Sequence, residues 1–159
     1  MGLYVTSLLV HDAAQLPFHR LESVADHFVD TPEEERVYAD RIAEQAAYFG
    51  ITPNAAIQIG REASGFTKQA LTKPFTIHTR WRPALGRSML PRYYAIVLTA
   101  DGHDLNELLV SAGLARIYGT RTPLPDGRDY RTYLAHLRGL EIQAKAAWRG
   151  AWGKTPAEK

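Results

Sequence analysis

Two hydrophobic periods alternate along this chain. Tyr4 to Val10 is apolar and β-branched and predicts a first strand, with His11 to Gln15 as its turn. Leu16 to Leu21 and Val24 to Val29 predict two further short strands, interrupted by Glu22-Ser23 and Asp26-His27. From Pro32 the period lengthens: Tyr38, Ile42, Ala46 and Phe49 recur at helical spacing, and Gly50 ends the run. Thr52-Pro53 restarts a helix as N-cap and first-turn proline, with Ile59, Ala63, Phe66 and Ala70 on its apolar face. Pro74 breaks that helix. Phe75, Ile77, Thr79 and Trp81 then alternate with Thr76, His78 and Arg80, the pattern of a half-buried strand.

Pro83 to Pro91 reads as a loop and Tyr93 to Thr99 as a buried strand turned at Asp101-Gly102. Asp104 predicts a helix N-cap with Glu107 completing a capping box, and Gly113 ends that helix. Leu114 to Tyr118 predicts the last strand. Gly119 to Gly127 is a loop carrying two prolines and Arg121. Arg128 to Trp148 predicts a long amphipathic helix with Tyr133, Leu137, Leu140, Ala144 and Trp148 on one side, followed by a frayed, disordered tail at 154–159. About five short strands with helices between them make an α+β chain. A small antiparallel barrel with flanking helices fits this pattern, and so do other α+β arrangements.

The 159 residues suit one domain, and 45% hydrophobic with 23% charged residues is ordinary globular usage. A formal charge of +2 does not argue for a nucleic-acid partner. The distribution is more informative: Lys68, Lys73, Arg80, Arg82, Arg87 and Arg92 follow one another with no acidic residue among them. With no cysteine there is neither disulfide, thiolate metal site nor thiol nucleophile. Met1 to Val10 has no basic flank or small-residue cleavage pattern and reads as a strand rather than a signal peptide. No stretch approaches a membrane span. The histidines show neither HxxxH nor HExxH spacing.

The densest chemistry lies in Val29-Asp30-Thr31-Pro32-Glu33, which sets two carboxylates beside a proline-enforced turn. Asp30 at a strand end, the Thr31 carbonyl held by an extended pre-proline backbone, and Glu33 three residues on form an oxygen-only set. Such a set suits Ca²⁺, and less well Mg²⁺. The same residues also fit a helix start, with Thr31 as N-cap, Pro32 at N1, and Glu33 and Glu34 in the first turn.

Five further motifs follow in order: Glu62-Ala63-Ser64-Gly65-Phe66-Thr67, Arg92-Tyr93-Tyr94-Ala95, Ala100-Asp101-Gly102, Asn106-Glu107-Leu108-Leu109-Val110 with Gly113-Leu114-Ala115, and Glu141-Ile142-Gln143-Ala144-Lys145 with Trp152. Together with VDTPE, these resemble the staphylococcal-nuclease-like (thermonuclease) family from Val29 to Trp152. The resemblance implies an OB-type antiparallel β-barrel with flanking and inserted α-helices, spanning 1–153 as one domain. Residues 34–54 form a helical insertion longer than the family's loop after VDTPE. It implies a Ca²⁺-dependent endonuclease, a monomer acting on single-stranded DNA or RNA. Family members are often exported, and the compartment of this chain is not fixed by its sequence.

By that resemblance Asp30 and the Thr31 carbonyl bind metal, Glu33 orients the attacking water, and Arg92 stabilises the phosphate charge. Gly86-Arg87 copies a family dipeptide. Arg92 leads directly into a strand and is preferred for catalysis, which leaves Arg87 for substrate contact. Tyr118 and Arg121 correspond to the nucleotide-stacking region. The first half of the site departs from the family: its Asp-Gly-Asp is missing, and Ala25 stands where an Arg is expected. Asp12 and Arg20 are the displaced candidates for the second metal carboxylate and second catalytic arginine. This departure carries the alternative, a weak or inactive module that binds nucleic acid or protein on the same scaffold.

Overall fold

A computed structural model describes residues 5–10, 24–26, 28–83, 93–119, 124 and 127–154, with side chains over 28–78, 95–119, 124 and 127–154. The elements run β1 (Val5–Val10), β2 (Val24–Asp26), β3 (Val29–Asp30), a 3₁₀ turn (Arg36–Tyr38), α1 (Ala39–Phe49), α2 (Pro53–Ala70), β4 (Phe75–Pro83), β5 (Tyr93–Leu98), α3 (Leu105–Ser111), β6 (Arg116–Ile117), α4 (Tyr130–Ala146) and a closing 3₁₀ turn (Gly150–Gly153). The chain is α+β, as its pattern predicts. One sheet has strand order β1-β4-β5-β2 and the other is the pair β3-β6. Among the described residues no ladder joins the two sheets into a closed barrel. The predicted strand at 16–21 lies outside the described residues.

The stretch Val24 to Val29 is two strands rather than one. β2 runs parallel to β5, with Val24 opposite Tyr93, whereas β3 pairs antiparallel with β6, Asp30 opposite Arg116. The first sheet is therefore mixed. A register shift between Arg80 and Pro83 marks a bulge in β4. The last strand is shorter than predicted because only Arg116–Ile117 finds ladder partners, although the Tyr118 N–H also donates to the Phe28 carbonyl at 2.9 Å.

Helix ends follow local chemistry. Thr52 caps α2, its hydroxyl accepting the Ala55 N–H at 3.2 Å. Asp104 caps α3 through the Asn106 N–H at 2.9 Å, but Glu107 turns to Arg128 instead of closing the predicted box. Asp129 caps α4, and Gly50 ends α1 at φ +70°, a left-handed conformation that glycine adopts without steric cost. The predicted helix start at Thr31 is absent: residues 31–33 are irregular and α1 begins only at Ala39. Trp148, predicted on the apolar face of α4, lies past its end at φ +52° and is 72% exposed.

One core holds the elements together. Ile42, Ala46 and Phe49 of α1 pack with Ile59 and Ala63 of α2, Phe75 and Ile77 of β4, Ile96 of β5, and Leu109 and Val110 of α3, while Leu137 closes it from α4. Asp104, 5% exposed, ties α3 to α4 by accepting from the Tyr133 hydroxyl at 2.9 Å and Arg128 at 2.7 Å. Burial first, and the Asp104 charge next, raise the Tyr133 phenol pKa. The α1 helix is clamped at its C-terminal end. Phe49 stacks edge-on against Trp152 at 4.8 Å, and the Tyr48 hydroxyl donates to Glu141, which also accepts from Lys145 at 3.0 Å. Lys154, at the predicted start of the tail, pairs with Glu62 at 2.8 Å.

Burial, and after it the Glu141 carboxylate, push the Tyr48 pKa from 10.0 up to about 12. A phenol raised in this way contributes equally at all pH values below its unfolded pKa of about 10, and the contribution is lost as pH climbs through the folded value. Urea unfolding compared at about pH 8 and about pH 11 should show a loss of stability that is smaller in Tyr48→Phe than in the wild type. An equal loss in both proteins would remove Tyr48 from the account.

Candidate functional site

Two residues of β3 set the site. Val29 turns into the core at 4% exposure, so Asp30 faces the other way, directly across the ladder from Arg116. Arg116 is 5% exposed, and its Nε donates to Asp30 Oδ2 at 2.8 Å. Tyr118, two residues further along the same strand direction, carries the Arg116 guanidinium over its ring at 4.4 Å and is itself 58% exposed.

The α1 helix supplies the rest. Arg41 Nη2 donates to Asp30 Oδ1 at 2.7 Å. Its Nε lies 2.9 Å from Glu33 Oε1, a charge contact rather than an aligned hydrogen bond. Gln45, fully buried, donates from Nε2 to Asp30 Oδ2 and to the Thr31 carbonyl, both at 3.0 Å, and accepts the Glu33 N–H at 3.0 Å. One amide thus fixes the turn Thr31-Pro32-Glu33 by its backbone. Glu44 stands 4.0 Å from Arg116 at the rim. From the opposite side α2 comes backbone to backbone: a Cβ on Gly60 would meet the Pro32 carbonyl oxygen at 2.5 Å and that of Glu33 at 2.8 Å.

Of the residues singled out in the sequence, Asp30, Thr31 and Glu33 come together and Tyr118 stands beside them. Asp12, Arg20, Arg87, Arg92 and Arg121 lie outside the described residues. Arg41, Gln45 and Arg116 escaped the sequence reading. Arg41, Gln45 and Tyr48 fall at i, i+4 and i+7, a polar stripe beside the apolar Ile42, Ala46 and Phe49, and that spacing is the signal that could have found the first two.

The described donor set does not fit Ca²⁺. Such an ion takes six to eight oxygen ligands at about 2.3–2.6 Å. Here both Asp30 oxygens and the Thr31 carbonyl already accept from Arg41, Arg116 and Gln45, and Arg41 holds Glu33 as well. Among the described residues the guanidiniums of Arg41 and Arg116 already stand against Asp30, Glu33 and, at the rim, Glu44. Among the described residues no group of three or more His, Asp or Glu side chains converges as a metal centre.

The model of the family described as Staphylococcal nuclease homologue matches residues 27–154. The match opens immediately before the Asp30 motif and leaves out Asp12 and Arg20. No curated protein matches the chain. Among the described residues no helix is long and apolar enough to cross a membrane.

The cluster makes a prediction about sign. Where carboxylates face only each other, removing one charge stabilises the metal-free protein. Here Asp30→Asn deprives a buried Arg116 of its counter-charge, so in EDTA stability should fall, by at most about 3–5 kcal/mol, the cost of orphaning a fully buried partner. A gain in the urea midpoint would show that Asp30 sits in a net negative field. Gly60→Ala should likewise cost about 1–3 kcal/mol or more, because the obstructing atoms are backbone. An unchanged midpoint would mean that α2 can retreat from the motif freely.

Proposed function

The chain belongs to the staphylococcal nuclease homologue family, a family of nucleases, and from that we propose that it is a nucleic-acid-binding module built on this family's OB-type scaffold. In this reading the carboxylates of the Asp30 motif build the surface rather than hold Ca²⁺. The observation that carries it is the Arg41 guanidinium spanning Asp30 and Glu33, at 2.7 Å and 2.9 Å. Tyr118 supports the binding half. An exposed ring backed by a buried guanidinium offers its free side to a base, and stacking of that kind grips single strands of DNA or RNA without sequence preference. Arg121 and the basic run from Lys68 to Arg92 are the proposed phosphate contacts, with the protein acting as a monomer.

A second reading keeps the family's chemistry: a Ca²⁺-dependent nuclease in which Asp30, Thr31 and Glu33 are completed by Asp12, Arg20 and Arg92. What favours it is that Asp30, Thr31 and Glu33 meet at one surface, and that Arg41, its side chain 40% exposed, is the component closest to leaving. That reading requires Asp30 and Glu33 to be released from Arg41.

Two measurements separate the readings. Anisotropy with a labelled oligothymidylate or oligouridylate in EDTA should give saturable binding that weakens with salt. Tyr118→Ala should weaken it about tenfold, within the roughly 1–3 kcal/mol that one stacked base contributes. Incubating single-stranded DNA and RNA with the protein and Ca²⁺ should give no cleavage that EDTA abolishes. EDTA-sensitive cleavage lost in Glu33→Gln would instead establish the nuclease, and absence of binding in EDTA would remove the module reading.

A further inference from the structure

The outward face of α4 carries a basic stripe. Arg131, Ala135, Arg138, Ile142 and Lys145 recur at alternating intervals of four and three residues, and all five are exposed. The acidic residue within the helix, Glu141, is buried beneath them. From Arg131 to Lys145 the stripe extends roughly 20 Å along the axis at 1.5 Å per residue. Trp148 and Arg149 stand at its end, where α4 closes in a Schellman arrangement. The Trp148 N–H donates to the Lys145 carbonyl at 3.1 Å and the Arg149 N–H to that of Ala144 at 3.0 Å. Trp148 thereby occupies the left-handed position, φ +52°, that glycine ordinarily takes. We propose that α4 presents a second contact for single-stranded nucleic acid, in addition to Tyr118: Arg131, Arg138 and Arg149 meet phosphates, and the Trp148 ring stacks on a base.

Trp148 is costly where it stands. Its backbone is strained, its side chain is 72% exposed, and among the described residues no other ring stacks on it. Strain of this kind persists where the surroundings over-determine it, and it clusters at functional sites. The surroundings here are rigid. The Ala151 N–H donates to the Gly113 carbonyl at 2.9 Å, and a Cβ on Gly150 would meet the Ala112 carbonyl oxygen at 2.4 Å. The turn after α4 is thus seated backbone to backbone on the end of α3, which presents the indole already ordered. The charges are equally available. Arg131 donates to the Tyr130 hydroxyl at 3.2 Å and Arg149 to the Ser111 carbonyl at 3.3 Å, and among the described residues neither these two nor Arg138 forms an ion pair. Lys145, by contrast, is held by Glu141 and the Trp152 ring. An anionic membrane is the poorer match: Tyr133, Leu137 and Ala144 of α4 are buried in the protein, so the outward face offers acyl chains little beyond Ile142 and the indole. An exposed ring flanked by guanidiniums is how single strands are gripped.

The second contact rests on the nucleic-acid reading, and its variants leave Tyr118 intact, so the two fail separately. With the full chain and a labelled oligothymidylate in EDTA, Trp148→Gly should weaken binding about five- to tenfold, the low end of one stacked base. The same substitution should raise the urea midpoint, because glycine takes the left-handed conformation without strain. A lowered midpoint would assign Trp148 to the fold and overturn the proposal. Should Trp148→Gly fail to fold, Trp148→Asn, which also accepts that conformation, decides by the same two readouts. Arg138→Gln should flatten the log–log salt slope by about 0.7, the share of one phosphate contact on a single strand. Binding that Tyr118→Ala weakens and that neither Trp148→Gly nor Arg138→Gln changes would overturn the second contact and leave the module reading standing. No binding by the wild type would remove both. Pelleting of the wild type, but not of Trp148→Gly, with phosphatidylserine vesicles, while both bind the oligothymidylate equally, would assign the stripe to a lipid surface and overturn the proposal as well.

Discussion

Asp30 is the group whose charge most constrains the molecule. Its side chain is 15% exposed, and a carboxylate so withdrawn from water is tolerated only where donors and opposite charge replace the lost hydration. Every neighbouring element contributes to that replacement. The β3–β6 register sets Arg116 opposite, α1 contributes Arg41 and Gln45, and the close approach of α2 at Gly60 fixes the backbone that follows. Moving β6 by one residue would put Ala115 or Ile117 opposite Asp30 in place of Arg116.

Between the Asp30 motif and α2 the chain runs through α1. This chain uses a helix whose apolar side joins the core through Ile42, Ala46 and Phe49 and whose polar side lies on the motif. Because the two stripes adjoin on one short helix, burial of the first delivers the second. The orientation of Arg41 and Gln45 thus follows from hydrophobic packing rather than from any attraction of their own, and the ion pairs refine a position already set.

Features governed by short-range chemistry were legible in the sequence. Thr52 and Asp104 are caps, Gly50 stops a helix, and the alternation from Phe75 marks a strand, because each depends on a few neighbouring residues. What failed depended on distant partners. Val24 to Val29 reads as one strand until β5 and β6 claim different ends of it. Thr31-Pro32-Glu33 reads as a helix cap because Gln45, which takes over the turn's backbone groups, lies 12 residues from Glu33. Arg116 is met by an aspartate 86 residues away, and nothing near it in sequence distinguishes it from a solvated strand arginine. Trp148 continues the helical period of α4, but the backbone has already left the helix at Ala146.

The clamp on α1 also has a chronology. Glu141 is joined to the chain 93 positions after Tyr48, and Trp152, which covers Phe49, comes later still. While the protein is being made, α1 has its own helical propensity but no lid, and β3 lacks its ladder partner until Arg116 has emerged. Contacts of such long sequence separation form late, since loop closure must precede any gain from them. Of the groups that close on Asp30, Arg41 and Gln45 follow it by 11 and 15 residues and are made early, whereas Arg116, 86 residues on, can complete the cluster only late in synthesis.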